Sequence, residues 1–154
     1  MPAPDKETIK HLNNVLMCKL AVIHQYFLHA RMMKHMGYMR LADYEYKESI
    51  QQMKFADKLV EKVLSLNGVP NMQEPTKVNI GASVEEILKY DLEAGKTSII
   101  YIKDAINTCK NSDMSNIEML ENILGNEEEH ISFITSQLNL IDTLGLPKYL
   151  QSHA

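Results

Sequence analysis

The chain has 154 residues, 45% apolar and 23% charged, and a mass of 17.6 kDa, so it is one globular domain rather than a disordered chain. Sixteen basic side chains against twenty acidic ones give a formal charge of -4, which argues against a general nucleic-acid binder, since that needs a basic face. No apolar run approaches the roughly 18 residues a membrane helix needs. Cys18 and Cys109 stand in no metal or redox spacing, and Met1 to Glu7 lacks the apolar core of a signal peptide, so the expected setting is cytoplasmic, with free thiols.

Prolines occur at Pro2, Pro4, Pro70, Pro75 and Pro147, leaving 5–69 and 76–146 free of the strongest helix breaker. In the first stretch Ile9, Leu12, Leu16, Leu20, Ile23 and Phe27 recur at helical spacing. The pattern predicts a helix over about 5–36, ended by Gly37, and a second over about 40–67, ended by Gly68. Gly68 to Ala82 carries Pro70, Pro75 and Gly81 and is too long for a tight helical hairpin. Ser83-Val84-Glu85-Glu86 reads as a capping box that opens a third helix, about 83–111. A fourth follows over about 113–145, ended by Gly145, and a short fifth is expected after Pro147. Two helical hairpins joined by one long connection define the expected fold class. It is all-α, a four-helix bundle with a long crossover between helices two and three and a short C-terminal fifth helix, in a single domain over 1–154.

The two halves echo each other. Gln52-Met53-Lys54-Phe55 precedes Leu66-Asn67-Gly68-Val69-Pro70, and Glu127-Glu128-Glu129-His130 precedes Leu144-Gly145-Leu146-Pro147. Glu127 and His130 lie three apart on one helix face, where a carboxylate and an imidazole can bind one cation. A two-metal centre needs a second such pair, and the matching place on helix two holds Gln52 and Phe55.

Several segments together carry a family likeness. Tyr26-Phe27-Leu28-His29-Ala30-Arg31, Glu45-Tyr46-x-Glu48-Ser49-Ile50, Met53-Lys54-x-Ala56-Asp57, Leu66-x-Gly68-x-Pro70-Asn71, Glu128-x-His130-Ile131 and Tyr149-Leu150-Gln151 resemble bacterioferritin across nearly the whole chain. The resemblance implies a ferritin-like subunit that forms twofold dimers and a 24-subunit shell around a ferric iron mineral, with b-type haem shared between two subunits. It makes Met53 the haem axial ligand and Leu20, Ile23, Phe27, Tyr46 and Ile50 the pocket. Ser49 and Ala56, four before and three after Met53, leave room for a flat macrocycle, and His24 stands where the family usually has Asn.

Against the family's ferroxidase pattern only Glu127 and His130 remain as metal ligands. Lys19, Gln52, Phe55 and Gly95 stand at the other four ligand positions, and Lys47 and Gln51 at the family's inner-surface iron site. Tyr26, beside the centre in the family, is retained. Lys19 lies on the inward stripe, seven after Leu12 and four before Ile23, and the resemblance implies that the aligned acid points at the metal, so the Lys19 ammonium is expected to pair with Glu127 where an iron would sit, with Gln52 accepting a further hydrogen bond.

The expected function is an iron-storage shell subunit that binds haem and supports electron transfer to stored ferric iron. Its own di-iron ferroxidase centre is lost, and it works with a ferroxidase-competent partner subunit and a ferredoxin-type reductant, without nucleic acid or membrane. Two rivals stand beside it. One is an active ferroxidase with a rearranged site of Glu127, His130, Glu48 and Glu93, and the other is a purely structural cage subunit. The acidic charge and missing basic tail disfavour a DNA-protecting mini-ferritin.

Overall fold

The computed structural model describes residues 6–72, 77–111 and 113–154. Five α-helices follow one another: α1 (Lys6–His35), α2 (Met39–Ser65), α3 (Val84–Thr108), α4 (Met114–Leu144) and α5 (Leu146–Gln151), with one 3-10 turn at Cys109–Asn111. No strand occurs among the described residues, and none of their helices is long and apolar enough to cross a membrane. At 1.5 Å per residue, α1 is roughly 45 Å long.

Side-chain pairs give the directions of packing. On α1, Gln25 and His29 meet Asp91 of α3, and Cys18 meets Ser98, so α1 and α3 run antiparallel. On α2, Tyr44 meets His130, Gln52 meets Asn126 and Lys62 meets Ser115, so α2 and α4 are antiparallel as well. The short turn at Gly37 makes α1 and α2 antiparallel too, so α2 and α3 are parallel, the geometry a long crossover exists to provide. Two apolar clusters fill the bundle. One is built around Leu12, Leu16, Phe55, Leu59, Ile102 and Leu120, and the other, toward α5, around Met33, Leu41, Ile87, Leu88 and Tyr149. Between them lies a buried polar midsection.

The helix ends follow local chemistry. Gly37 sits at φ +92°, and the Tyr38 amide bonds back to the Met33 carbonyl, closing α1. Ser83 caps α3 by accepting from the Glu86 amide, while the Glu86 side chain reaches back to the Ala82 amide, one residue before the Ser83 amide that a capping box would use. Two expectations need correction. The left-handed residue that ends α2 is Asn67 (φ 60°), not Gly68. Gly68 is needed for space, since a Cβ there would come within 2.8 Å of Ile9 Cγ2. The fifth helix opens at Leu146, because proline is tolerated in a first turn and Pro147 lies inside it.

The crossover is stitched to α1. Asn13 donates to the Val69 carbonyl and accepts from the Asn71 amide, Gln25 accepts from the Asn79 amide, and His29 Nε2 accepts from the Gly81 amide. The connecting chain therefore advances along α1 in the same direction as the helix. Pro75 and its neighbours at 73–76 lie outside the described residues.

Candidate functional site

The middle of the bundle holds an unusual set of fully buried polar side chains: Lys19 from α1, Gln52 from α2 and Glu127 and His130 from α4. Lys19 sits on the same face of α1 as Leu12 and Leu16, which carry it into the core. Its Nζ donates to Glu127 Oε2 at 2.6 Å, and both side chains are 0% exposed. Isolated, either charge would be costly at this depth, and the short charge-assisted bond is what lets both stay.

His130 is enclosed by aromatic rings. Its ring lies 5.0 Å from Tyr26 and is stacked 5.7 Å from Tyr44, whose ring stacks in turn on Phe133 at 3.7 Å. The Tyr44 hydroxyl and His130 Nδ1 are 3.0 Å apart in a hydrogen bond, and Glu48 Oε2 approaches Nδ1 to 3.8 Å. Burial lowers the His130 pKa despite the nearby carboxylates. Burial also raises Glu48 to about 7, helped by repulsion from Glu127 and opposed by the Gln52 hydrogen bond and the Lys19 charge. Desolvation holds the Tyr26 and Tyr44 hydroxyls far above the usual tyrosine range.

The replaced positions differ in what they do. Gln52 turns its amide to donate to Asn126 Oδ1, and its Oε1 has no partner, so the expected acceptor role toward Lys19 is not taken up. Phe55 packs into the apolar cluster below the centre. A Cβ on Gly95 would come within 2.9 Å of Ile131 and 3.0 Å of Glu127 Oε1, so the space of a side chain there is already filled. The rearranged four-ligand set is not assembled, because Glu93 is exposed, on a groove with Cys18, Ala94 and Thr97.

These residues do not fit a di-iron centre. Of the two retained ligands, Glu127 has one oxygen held by an ammonium, and Lys19 brings a positive charge to the place where metal charge would need neutralising. Among the described residues, the cluster of three potential metal-ligating side chains lies elsewhere, at His29, Glu45 and Asp91, all buried. Sequence reasoning missed this group. Its only advance signal was three polar residues falling on inward faces of three different helices.

On the outer face of α1 and α2 lies a groove of about 470 Å³ lined by Ile23, His24, Phe27, Tyr46, Ser49, Ile50 and Met53. Met53 is 53% exposed there, beside exposed Phe27 and Tyr46, and the floor residue Ser49 is buried. Leu20, expected in this group, is not among the residues that line the groove; like Ile23 it is partly buried and packs against the apolar cluster of the bundle. An open apolar groove with an exposed thioether suits a flat apolar cofactor that takes a soft axial ligand. Arg31 stacks over both Phe27 and Tyr46, at 5.5 and 5.1 Å from their ring centres, and orders one end. Cys18 is an inert thiol, pushed up to about 11 by burial, and Cys109 is fully buried.

Paired hairpins, the long crossover and the polar midsection define the class of ferritin-like proteins, and a ferritin-like domain matches residues 9–144. Bacterioferritins are similar over almost the full length. The protein from Streptomyces coelicolor is 37% identical over 96% of this chain and 89% of its own. That from Brucella melitensis is 34% identical over 97% and 94%, and that from Mycobacterium avium 34% over 94% and 92%. The chain belongs to the bacterioferritin family. It is an iron-storage, ferritin-like subunit.

Proposed function

We propose that this chain is a shell subunit that builds an iron-storing cage and holds haem but has given up iron oxidation at its own centre. The observation that carries the reading is the buried pair of Lys19 and Glu127. A ferrous ion needs anionic oxygen and imidazole ligands that neutralise its charge. At this place an ammonium already neutralises the carboxylate, and a second cation would add repulsion at low dielectric. Glu127 and His130 are residual ligands that do not hold iron, while Lys19, Gln52, Phe55 and Gly95 take the places of the rest.

Haem suits the groove on the outer face. Met53 would be the axial ligand, with Ile23, Phe27, Tyr46 and Ile50 shielding it from water. When bound, b-type haem would supply one-electron transfer, and Met53 from each of two subunits would hold it. The exposed apolar side chains around Met53 fit burial against a second copy in a dimer, and dimers of this kind build the 24-subunit shell. The electrons would reach stored ferric iron from a ferredoxin-type donor in the cytoplasm. A ferroxidase-competent subunit in the same shell would supply oxidised iron.

The test is oxygen uptake by the purified assembly after ferrous addition, with the haem absorption band recorded on the same sample. The reading expects a haem band and no rapid oxygen-consuming phase. A rapid phase that Glu127→Gln abolishes would establish the rearranged-ferroxidase alternative instead.

A further inference from the structure

Beyond the silenced centre, a second buried cluster joins α1, α2 and α3, and its hydrogen-bond directions can be worked out from backbone groups alone. The Gly81 amide can only donate, so His29 Nε2 accepts at 3.0 Å and the ring proton sits on Nδ1. Nδ1–H then donates to Asp91 Oδ1 at 2.9 Å, and His29 is the neutral tautomer. The Asn79 amide likewise donates to Gln25 Oε1 at 3.1 Å, which turns the Gln25 amide nitrogen toward Asp91 Oδ1 at 2.8 Å. One oxygen of Asp91 thus receives two donors, as a carboxylate does.

The other side of Asp91 is different. Asp91 Oδ2 and Glu45 Oε1 are buried acceptors without a hydrogen-bond partner, in a cluster whose ligating atoms lie within 4.8 Å of one another. Two carboxylates facing each other without a donor need either a proton or a cation. A metal ion would look to His29 for its third ligand, but both ring nitrogens are already committed, one to Gly81 and one to Asp91. Among the described residues no lysine or arginine makes an ion pair with either carboxylate.

We propose that Glu45 and Asp91 bind one shared proton in the folded protein, and that this proton completes a buried latch fastening the second half of the crossover to the bundle. Glu45 carries the proton and donates it to Asp91, whose other oxygen holds His29 and Gln25 in the orientations that capture the Gly81 and Asn79 amides. The groups that face Glu45 support the assignment. Asp91 of α3 repels a second negative charge, as does Glu48 one turn along α2. From α1, His29 is neutral, and Tyr26 stays protonated. From α4, Glu127 and His130 meet Tyr26, the next polar side chain along the core. Burial, then Asp91 and Glu48, raise the Glu45 carboxyl well above its ordinary value of 4.5.

The sign follows from linkage. A carboxyl whose folded value is raised contributes its full stability below the ordinary value and loses it as pH rises toward the raised one. Over that window, one proton makes unfolding easier by up to about tenfold per pH unit.

Infrared spectra of the assembled protein, wild type minus Glu45→Gln, test this in the presence of chelator. A protonated-carboxyl C=O band at neutral pH in the wild type, missing from Glu45→Gln, is expected, and added zinc leaves it unchanged. The variant, neutral and nearly isosteric, should keep slow amide exchange at Asn79 and Gly81 and should lose one proton's share of the fall in stability with rising pH. Titration of the wild-type band needs no variant and should show it persisting well above the ordinary carboxyl range. Absence of the band, or its disappearance on binding one zinc per chain through Glu45, would overturn the proposal.

Discussion

Lysine differs by more than charge from the acid that the family resemblance implies at position 19. Its long stem lets the ammonium reach across the core from α1 to α4, and at 2.6 Å from Glu127, with both side chains buried, it makes a charge-assisted bond shielded from bulk solvent. Such a pair adds little net stability compared with two well-packed apolar residues, but breaking it is expensive. Lys19→Met should therefore destabilise the subunit by about 3–5 kcal/mol, because Glu127 is left charged and unpaired in the core. Lys19→Met with Glu127→Leu should recover most of that loss, and chemical denaturation of the two variants separates a working pair from an incidental contact. At the groove, Met53→Leu keeps side-chain volume while removing the sulfur. Haem absorbance should vanish while the cage still elutes at its native size, and unchanged haem content would rule out Met53 as the ligand. The inward direction of Lys19 was legible from its seven-and-four spacing with Leu12 and Ile23, and its partner Glu127 only through the family resemblance, which sets both at the metal position. Gln52 was not, because which way an amide turns depends on Asn126, a neighbour that no spacing along α2 announces.

Among the elements, the helices were the most legible part. Proline and glycine mark where backbone hydrogen bonding must stop, and the Ser83 cap marks where it restarts. Their exact ends were less so, since Asn67 took the left-handed position that glycine usually fills, leaving Gly68 to answer a steric demand made by Ile9 on another helix. The crossover was legible as a length but not as a structure. It contributes backbone amides to Asn13, Gln25 and His29, and backbone groups leave no trace in residue type. At Gly81 the residue itself reports a close approach to α3, since a Cβ there would come within 2.5 Å of the Ile87 amide nitrogen. That neighbour is backbone in the first turn of α3 and has little room to yield. Gly81→Ala should cost roughly 2 kcal/mol or more. The loss should show as a lowered unfolding midpoint with faster amide exchange in 77–83, and an unchanged midpoint would mean that the crossover gives way easily.

For the whole molecule, the four helices bring two chemistries to opposite sides of the α1–α2 hairpin: an ion pair inside the bundle and an apolar groove with Met53 outside it. Separate locations allow one to be lost while the other is kept, which is the physical basis of the proposal that this subunit holds haem without oxidising iron. The division of labour predicts mixed shells. Coexpression with a ferroxidase-competent bacterioferritin, followed by mass spectrometry of intact cages, should show particles containing both chains, and two separate homopolymer populations would count against mixing. The central claim is that a lysine ammonium occupies the place of a metal. It is tested most directly by anomalous diffraction at the iron edge from crystals soaked in ferrous salt under anaerobic conditions. The account predicts no iron peak in the middle of the bundle, with Lys19 Nζ still on Glu127. An iron held by Glu127 and His130, with Lys19 swung away from it, would contradict the account.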